Sequence, residues 1–75
     1  MGARIPAVTA TQIIRVLESL GFQRIRQSGN HATYRHQDGR WTIVSIHPRR
    51  TIPRGTLRKI MRDAGLTIEE LIALL

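Results

Sequence analysis

The sequence has no cysteine, a single tryptophan, tyrosine and phenylalanine, and only 5 carboxylates against 12 basic side chains. Without cysteine there is neither a disulfide framework nor a thiolate metal site, so the fold must hold by packing alone. In 75 residues that leaves room for one apolar core. A single domain over residues 1–75 is expected, with 1–8 as an extended lead-in around Pro6. No apolar run approaches the ~20 residues of a membrane span. The start shows no charged-then-apolar secretory pattern, and a cytoplasmic protein is expected. The scattered acids rule out paired-carboxylate chemistry. There is also no P-loop, dinucleotide fingerprint or nucleophile elbow. His31, His36 and His47 are too dispersed for a metal-ligand spacing, so neither metal nor cofactor is expected.

What the chain does have is arginine. The formal charge is +7, and every basic residue but Lys59 carries a guanidinium, which grips phosphate bidentately and stacks on bases. From Arg24 to Arg62 the only carboxylate is Asp38. The middle of the chain therefore attracts a polyanion, RNA or DNA.

Local patterns give the elements. Thr9 and Gln12 form a capping box, Ile13, Leu17 and Leu20 recur at one-turn intervals, and Gly21 stops the helix. From Phe22 to His47 the period falls to two, with turn compositions at Ser28-Gly29-Asn30 and Asp38-Gly39. This predicts a three-stranded antiparallel meander, closed by Pro48-Arg49-Arg50. Pro53 starts a second helix with Leu57, Ile60, Met61 and Ala64 on one face, and Gly65 ends it. Thr67 and Glu70 cap a short third helix striped by Ile68, Leu71, Ile72 and Leu75.

Alternation assigns Ile25, Tyr34, Val44 and Ile46 to the helix-covered face of the sheet. The open face then carries Arg24, Arg26, His31, Thr33, Arg35, Trp41, Ile43 and His47. Its cations suit phosphate, and Trp41 and Ile43 offer apolar anchors for a protein partner within a basic rim. Arg54, Arg58 and Arg62 fall four apart and make a basic stripe along the second helix. RNA cleavage needs little apparatus, because the 2′-hydroxyl attacks the adjacent phosphate once a base takes its proton. An imidazole serves near neutral pH while arginines offset charge on the phosphorane. Residue chemistry alone does not rank His31 above His36 or His47. His36 alternates with Tyr34 toward the helices, which points to a structural role.

Two segments carry a resemblance. The run Gly21-Phe22, Arg26-Gln27-Ser28-Gly29-Asn30-His31 and Tyr34-Arg35-His36, followed by Pro53-Arg54-Gly55-Thr56-Leu57-Arg58-Lys59-Ile60 and Ala64-Gly65-Leu66, resembles the HicA family of toxins. The resemblance implies an α+β fold, an α-β-β-β-α domain similar to double-stranded-RNA-binding folds, with helices on one face of the sheet and a short extra C-terminal helix. It implies metal-free cleavage of mRNA and neutralisation by an acidic HicB-like antitoxin. It maps the catalytic histidine onto His31. The sequence departs from the family pattern at Asn30, usually serine, and at Ala32, often polar; asparagine keeps hydrogen-bonding capacity and tolerates turn geometry. The RNA-binding set expected from charge and placement is Arg24, Arg26, Asn30, Arg35, His47, Arg49, Arg50, Arg54 and Arg58, with Trp41 and Ile43 facing the antitoxin. The competing readings are a non-catalytic RNA-binding module of the same fold and, more weakly, a DNA-binding repressor using the second helix.

Overall fold

In the computed structural model, which describes residues 4–47 and 49–75, Thr9 caps the first helix, α1 (Ala10–Ser19). Its hydroxyl accepts from the Gln12 amide while the Gln12 side chain accepts from the Thr9 amide. The reciprocal pair satisfies two of the donors a helix start leaves free. Ala10, Ile13, Val16 and Leu17 are buried against a sheet of β1 (Gln23–Ser28), β2 (His31–Arg35) and β3 (Trp41–Ser45), antiparallel in chain order. The second helix, α2 (Arg54–Ala64), packs Leu57, Ile60, Met61 and Ala64 against the same face. The short α3 (Ile68–Leu74) begins with the expected Thr67–Glu70 capping box. The order α-β-β-β-α with an added helix is the expected α+β arrangement.

Gly21 has to be glycine twice over. Its φ of 98° lies in the left-handed region, and a Cβ there would meet the His36 imidazole at 3.1 Å. The His36 ring packs edge-on against Phe22 at 5.3 Å between centroids, and its Nδ1 accepts from the Asp38 amide. This is the structural placement expected for it.

The core holds Ala32, Tyr34 and Val44 from the sheet, with Ile46 partly buried against them. Thr42 is the one buried polar residue among the described ones, and its hydroxyl donates to Asp63 on α2 at 3.0 Å. That bond removes the penalty of an unpaired buried hydroxyl, about 1–3 kcal/mol.

Ile25 and Arg24 do not lie where alternation places them. The β1–β2 ladder slips between Arg24 and Arg26, so Ile25 is the extra residue of a bulge and is 57% exposed on the open side. A bulge inserts one residue and reverses the parity of everything before it. Arg24 therefore pairs with the buried Tyr34, and its Nε and Nη2 donate to the Tyr34 hydroxyl at 3.0 and 2.8 Å. It is on the helix side of β1 and not in the open-face row.

Two further differences concern the ends of the chain. Residues 4–8 form neither helix nor strand and are part of the core, since Ile5 and Val8 are buried and the Ile52 amide donates to the Val8 carbonyl. The α3 stripe is only half covered: Leu71 is buried and Ile68 partly so, while Ile72 and Leu75 are exposed. The first three residues of the lead-in, and Pro48 of the expected closing turn, lie outside the described residues.

Candidate functional site

His31 is the first residue of β2, exposed, directly after the turn Gly29-Asn30. Gly29 takes φ 56°, which suits a tight two-residue reversal between Ser28 and His31. Across the ladders His31 faces Ser28 on β1 and Ser45 on β3. Directly opposed residues in an antiparallel sheet lie within about 5.5 Å at Cα. The turn is also tied to the end of β3, where the Ile46 amide donates to the Asn30 carbonyl at 2.6 Å.

Ser45 links His31 to a second feature. It borders a cleft of about 300 Å³ whose wall includes His47, Arg50, Thr51 and Thr56, with Ala10 and Ile60 at its base. The cleft lies between the end of β3 and the start of α2. There the helix has Pro53 as N-cap, no side-chain cap and no acidic residue in its first turn. His47 borders this cleft beyond the end of β3. A Cβ at Gly55 would touch nothing within 4 Å, so this glycine does not relieve a contact with the sheet.

Of the remaining expected binding residues, Arg26, Arg35, Arg49, Arg50, Arg54 and Arg58 are exposed. Arg35 pairs with Trp41 across β2–β3, and these two form a shallow open-face groove with Ile25 and Thr33. Trp41 is 56% exposed and Ile43 is exposed beside it. The patch is larger than the sequence suggested, because the bulge adds Ile25. Arg58 and Arg62 instead border a depression formed with Ile5, Met61 and Leu66, away from that groove. Ser45 and Thr56 join the site only through the fold, and no local motif marked Ser45.

Arg40 is an arginine that the charge pattern alone cannot tell from the binding ones. Its Nε donates to Asp38 at 2.8 Å, Nη1 donates to the Ala64 carbonyl at the end of α2, and the guanidinium lies 5.2 Å from the Phe22 ring centroid. The Asp38 carboxyl is held below its ordinary range, first by the Arg40 backbone amide and then by the guanidinium. Among the described residues no three His, Cys, Asp or Glu side chains gather as a metal-ligand set. No helix among them is long and apolar enough to cross a membrane.

A family model for the HicA toxin of bacterial toxin–antitoxin systems matches residues 10–66, from the start of α1 to the residues just past α2. The chain belongs to the HicA toxin family. The match takes in the His31 turn, the cleft and all three strands, so the toxin role within a toxin–antitoxin system attaches to the part of the molecule that carries the site. A comparison with curated proteins returns no match.

Proposed function

We propose that this HicA-family toxin is a metal-independent endoribonuclease that cleaves mRNA in the cytoplasm with His31 as its catalytic residue. The observation that carries the reading is the placement of His31 at an exposed strand start, opposite a serine that borders a cleft walled by His47 and Arg50. The His31 imidazole takes the proton of a ribose 2′-hydroxyl, the 2′-oxygen bonds to phosphorus, and the bond to the 5′-oxygen breaks as that oxygen takes a proton back from the imidazolium. A 2′,3′-cyclic phosphate and a 5′-hydroxyl end result. Arg50, His47 and the exposed Arg26, Arg49, Arg54 and Arg58 attract and hold the backbone on either side of the reacting phosphate. Asn30 precedes His31 in the turn, and Arg35 lies at the far end of the same strand.

The partner follows from the family and from the open face. An acidic HicB-like antitoxin covers Ile25, Trp41 and Ile43, with Arg35 pairing at the rim. The test uses purified wild type and His31→Ala with and without EDTA, each shown to be folded by circular dichroism, on a long single-stranded RNA. Cleavage that survives EDTA and disappears in the variant is expected. Wild-type binding without cleavage would make the chain an RNA-binding module, and a folded variant that still cuts at the wild-type rate would remove His31 from the chemistry.

A further inference from the structure

We infer that Gln27, held in place by Arg24, is the positioning residue of the His31 hairpin. Tyr34 is fully buried, and its hydroxyl is met by two donors of one guanidinium, Arg24 Nε and Nη2. Anchored on the core in this way, Arg24 turns its Nη1 toward Gln27 and donates to Oε1 at 2.7 Å. A charge-assisted bond of that length fixes which end of the amide faces the arginine. The Gln27 Nε2 then points onward and donates to the Gly29 carbonyl at 3.2 Å. Three links thus run from the centre of the core to the turn that delivers His31.

Beyond the ladder pairs Ser28–His31 and His31–Ser45, which fix the backbone of His31 itself, the turn residues Gly29 and Asn30 have few restraints. Nothing lies within 4 Å of where a Gly29 Cβ would be, so packing does not fix that residue. Its other tie is the Ile46 amide on Asn30, from the β3 side. Gln27 supplies the restraint from the β1 side. Loss of the Gln27 tie leaves the Gly29 carbonyl without its side-chain donor and loosens the turn within the limits set by the Ser28–His31 pair. Catalytic geometry is sensitive to such motion, since a misplacement of about 1 Å costs up to ~10²-fold in rate. Arg24 is exposed, yet three of its donors are already taken by Tyr34 and Gln27.

The inference rests on His31 as the catalytic residue, and the experiment separates the two. Gln27→Glu keeps an oxygen for Arg24 but has no N–H for the Gly29 carbonyl, while Gln27→Ala loses both contacts. Both variants are expected to lower kcat about 10-fold with KM within about twofold of wild type. Gln27→Glu keeps the wild-type Tm, because its carboxylate still pairs with Arg24. In ¹H–¹³C spectra the His31 imidazole resonances of Gln27→Glu are expected to broaden or double. Wild-type kcat in Gln27→Glu, or a raised KM with unchanged kcat, overturns the inference; the second result would make Gln27 an RNA contact. If His31→Ala still cleaves RNA, the catalytic reading fails by itself. The imidazole spectra then decide positioning alone, and unchanged His31 lines in Gln27→Glu overturn it.

Discussion

At its C-terminal end α2 is held by side-chain hydrogen bonds from several directions, whereas its N-terminal end has no side-chain cap. That end is held by the backbone bond of Ile52 to Val8 and the burial of Leu57. The closing residue Gly65 takes the left-handed conformation, Arg40 donates to the last-turn carbonyl of Ala64, and Asp63 accepts from both Thr42 and Lys59. The Gly65 cap and the Arg40 bond satisfy last-turn carbonyls, while Thr42 and Lys59 partner the Asp63 carboxylate that stands beside them. The start has Pro53 with no side-chain cap and no carboxylate, and it faces the cleft of His47 and Arg50. One end thus spends its polar groups internally and contributes stability. The other leaves donors and cations free for a ligand, and His31 stands on that side, across from Ser45.

The sharpest test of this division is at the open end. His31→Ala should lower the cleavage rate by 10²–10⁴-fold, the usual cost of a general base, and leave Tm unchanged, since the side chain is exposed and donates to no core group. A fall in Tm comparable to that of a core variant would show that the open end is also structural. The next largest effect concerns the face that belongs to neither end. Trp41→Ala should weaken an acidic antitoxin by about 30-fold, equivalent to about 2 kcal/mol, with cleavage by the free toxin unchanged. Titration by calorimetry reads the first and an RNA assay the second. Unchanged affinity would move the interface off the sheet.

At the tied end the prediction reverses. Arg40→Ala should destabilise by about 1–2 kcal/mol, through the lost carbonyl bond and the lost packing on Phe22, while kcat per folded molecule stays at wild type. It should also change behaviour in acid. The Asp38 carboxyl is depressed in the folded state, so its contribution is present above its unfolded value near 3.8 and is lost as pH falls through the lower folded value. Arg40→Ala removes the guanidinium but keeps the residue-40 backbone amide, the larger cause, so the folded value rises only part of the way and the acid dependence below about pH 4 weakens without disappearing. Unfolding curves from pH 2.5 to 6 follow it. A loss of cleavage out of proportion to stability would place Arg40 with the RNA-binding arginines.

What was legible in the sequence were features that depend on near neighbours. Thr9 with Gln12 and Thr67 with Glu70 are three residues apart, and both capping boxes formed as read. The buried face of α2 followed from its spacing. Ile25 and Arg24 were misplaced because counting by twos assumes a regular ladder, and one bulge exchanges their faces. A usable signal existed: the chain has a single tyrosine, placed in the core by its pattern, and a buried hydroxyl must have a partner. The partner was ten residues away in sequence and directly across the ladder. The same limit hid Ser45, whose proximity to His31 exists only in the register of β2 with β3. Exposure of Ile72 and Leu75 was illegible for a different reason, since a seven-residue helix shows an apolar stripe whether or not the protein has enough surface to cover it.

The smallest expected effect lies at the open start of α2 and asks whether backbone or side chains there meet the RNA. Gly55 is helical, with no neighbour within 4 Å of where a Cβ would sit and no left-handed φ, so alanine fits without strain. By helix propensity alone Gly55→Ala should stabilise by about 0.5 kcal/mol, less than the mid-helix value because the site is in the first turn. If the arginine side chains carry the contact, RNA affinity and its salt dependence stay at wild type, since a methyl group on the second residue of α2 leaves Arg50, Arg54 and Arg58 where they are. If instead a phosphate approaches the backbone amides closely, the methyl stands in its way, and affinity falls although the protein is more stable. Measuring Tm and RNA binding at several salt concentrations on the same variant separates these outcomes. A loss of both stability and binding would mean that the start of α2 is packed against something, contrary to the open end described above.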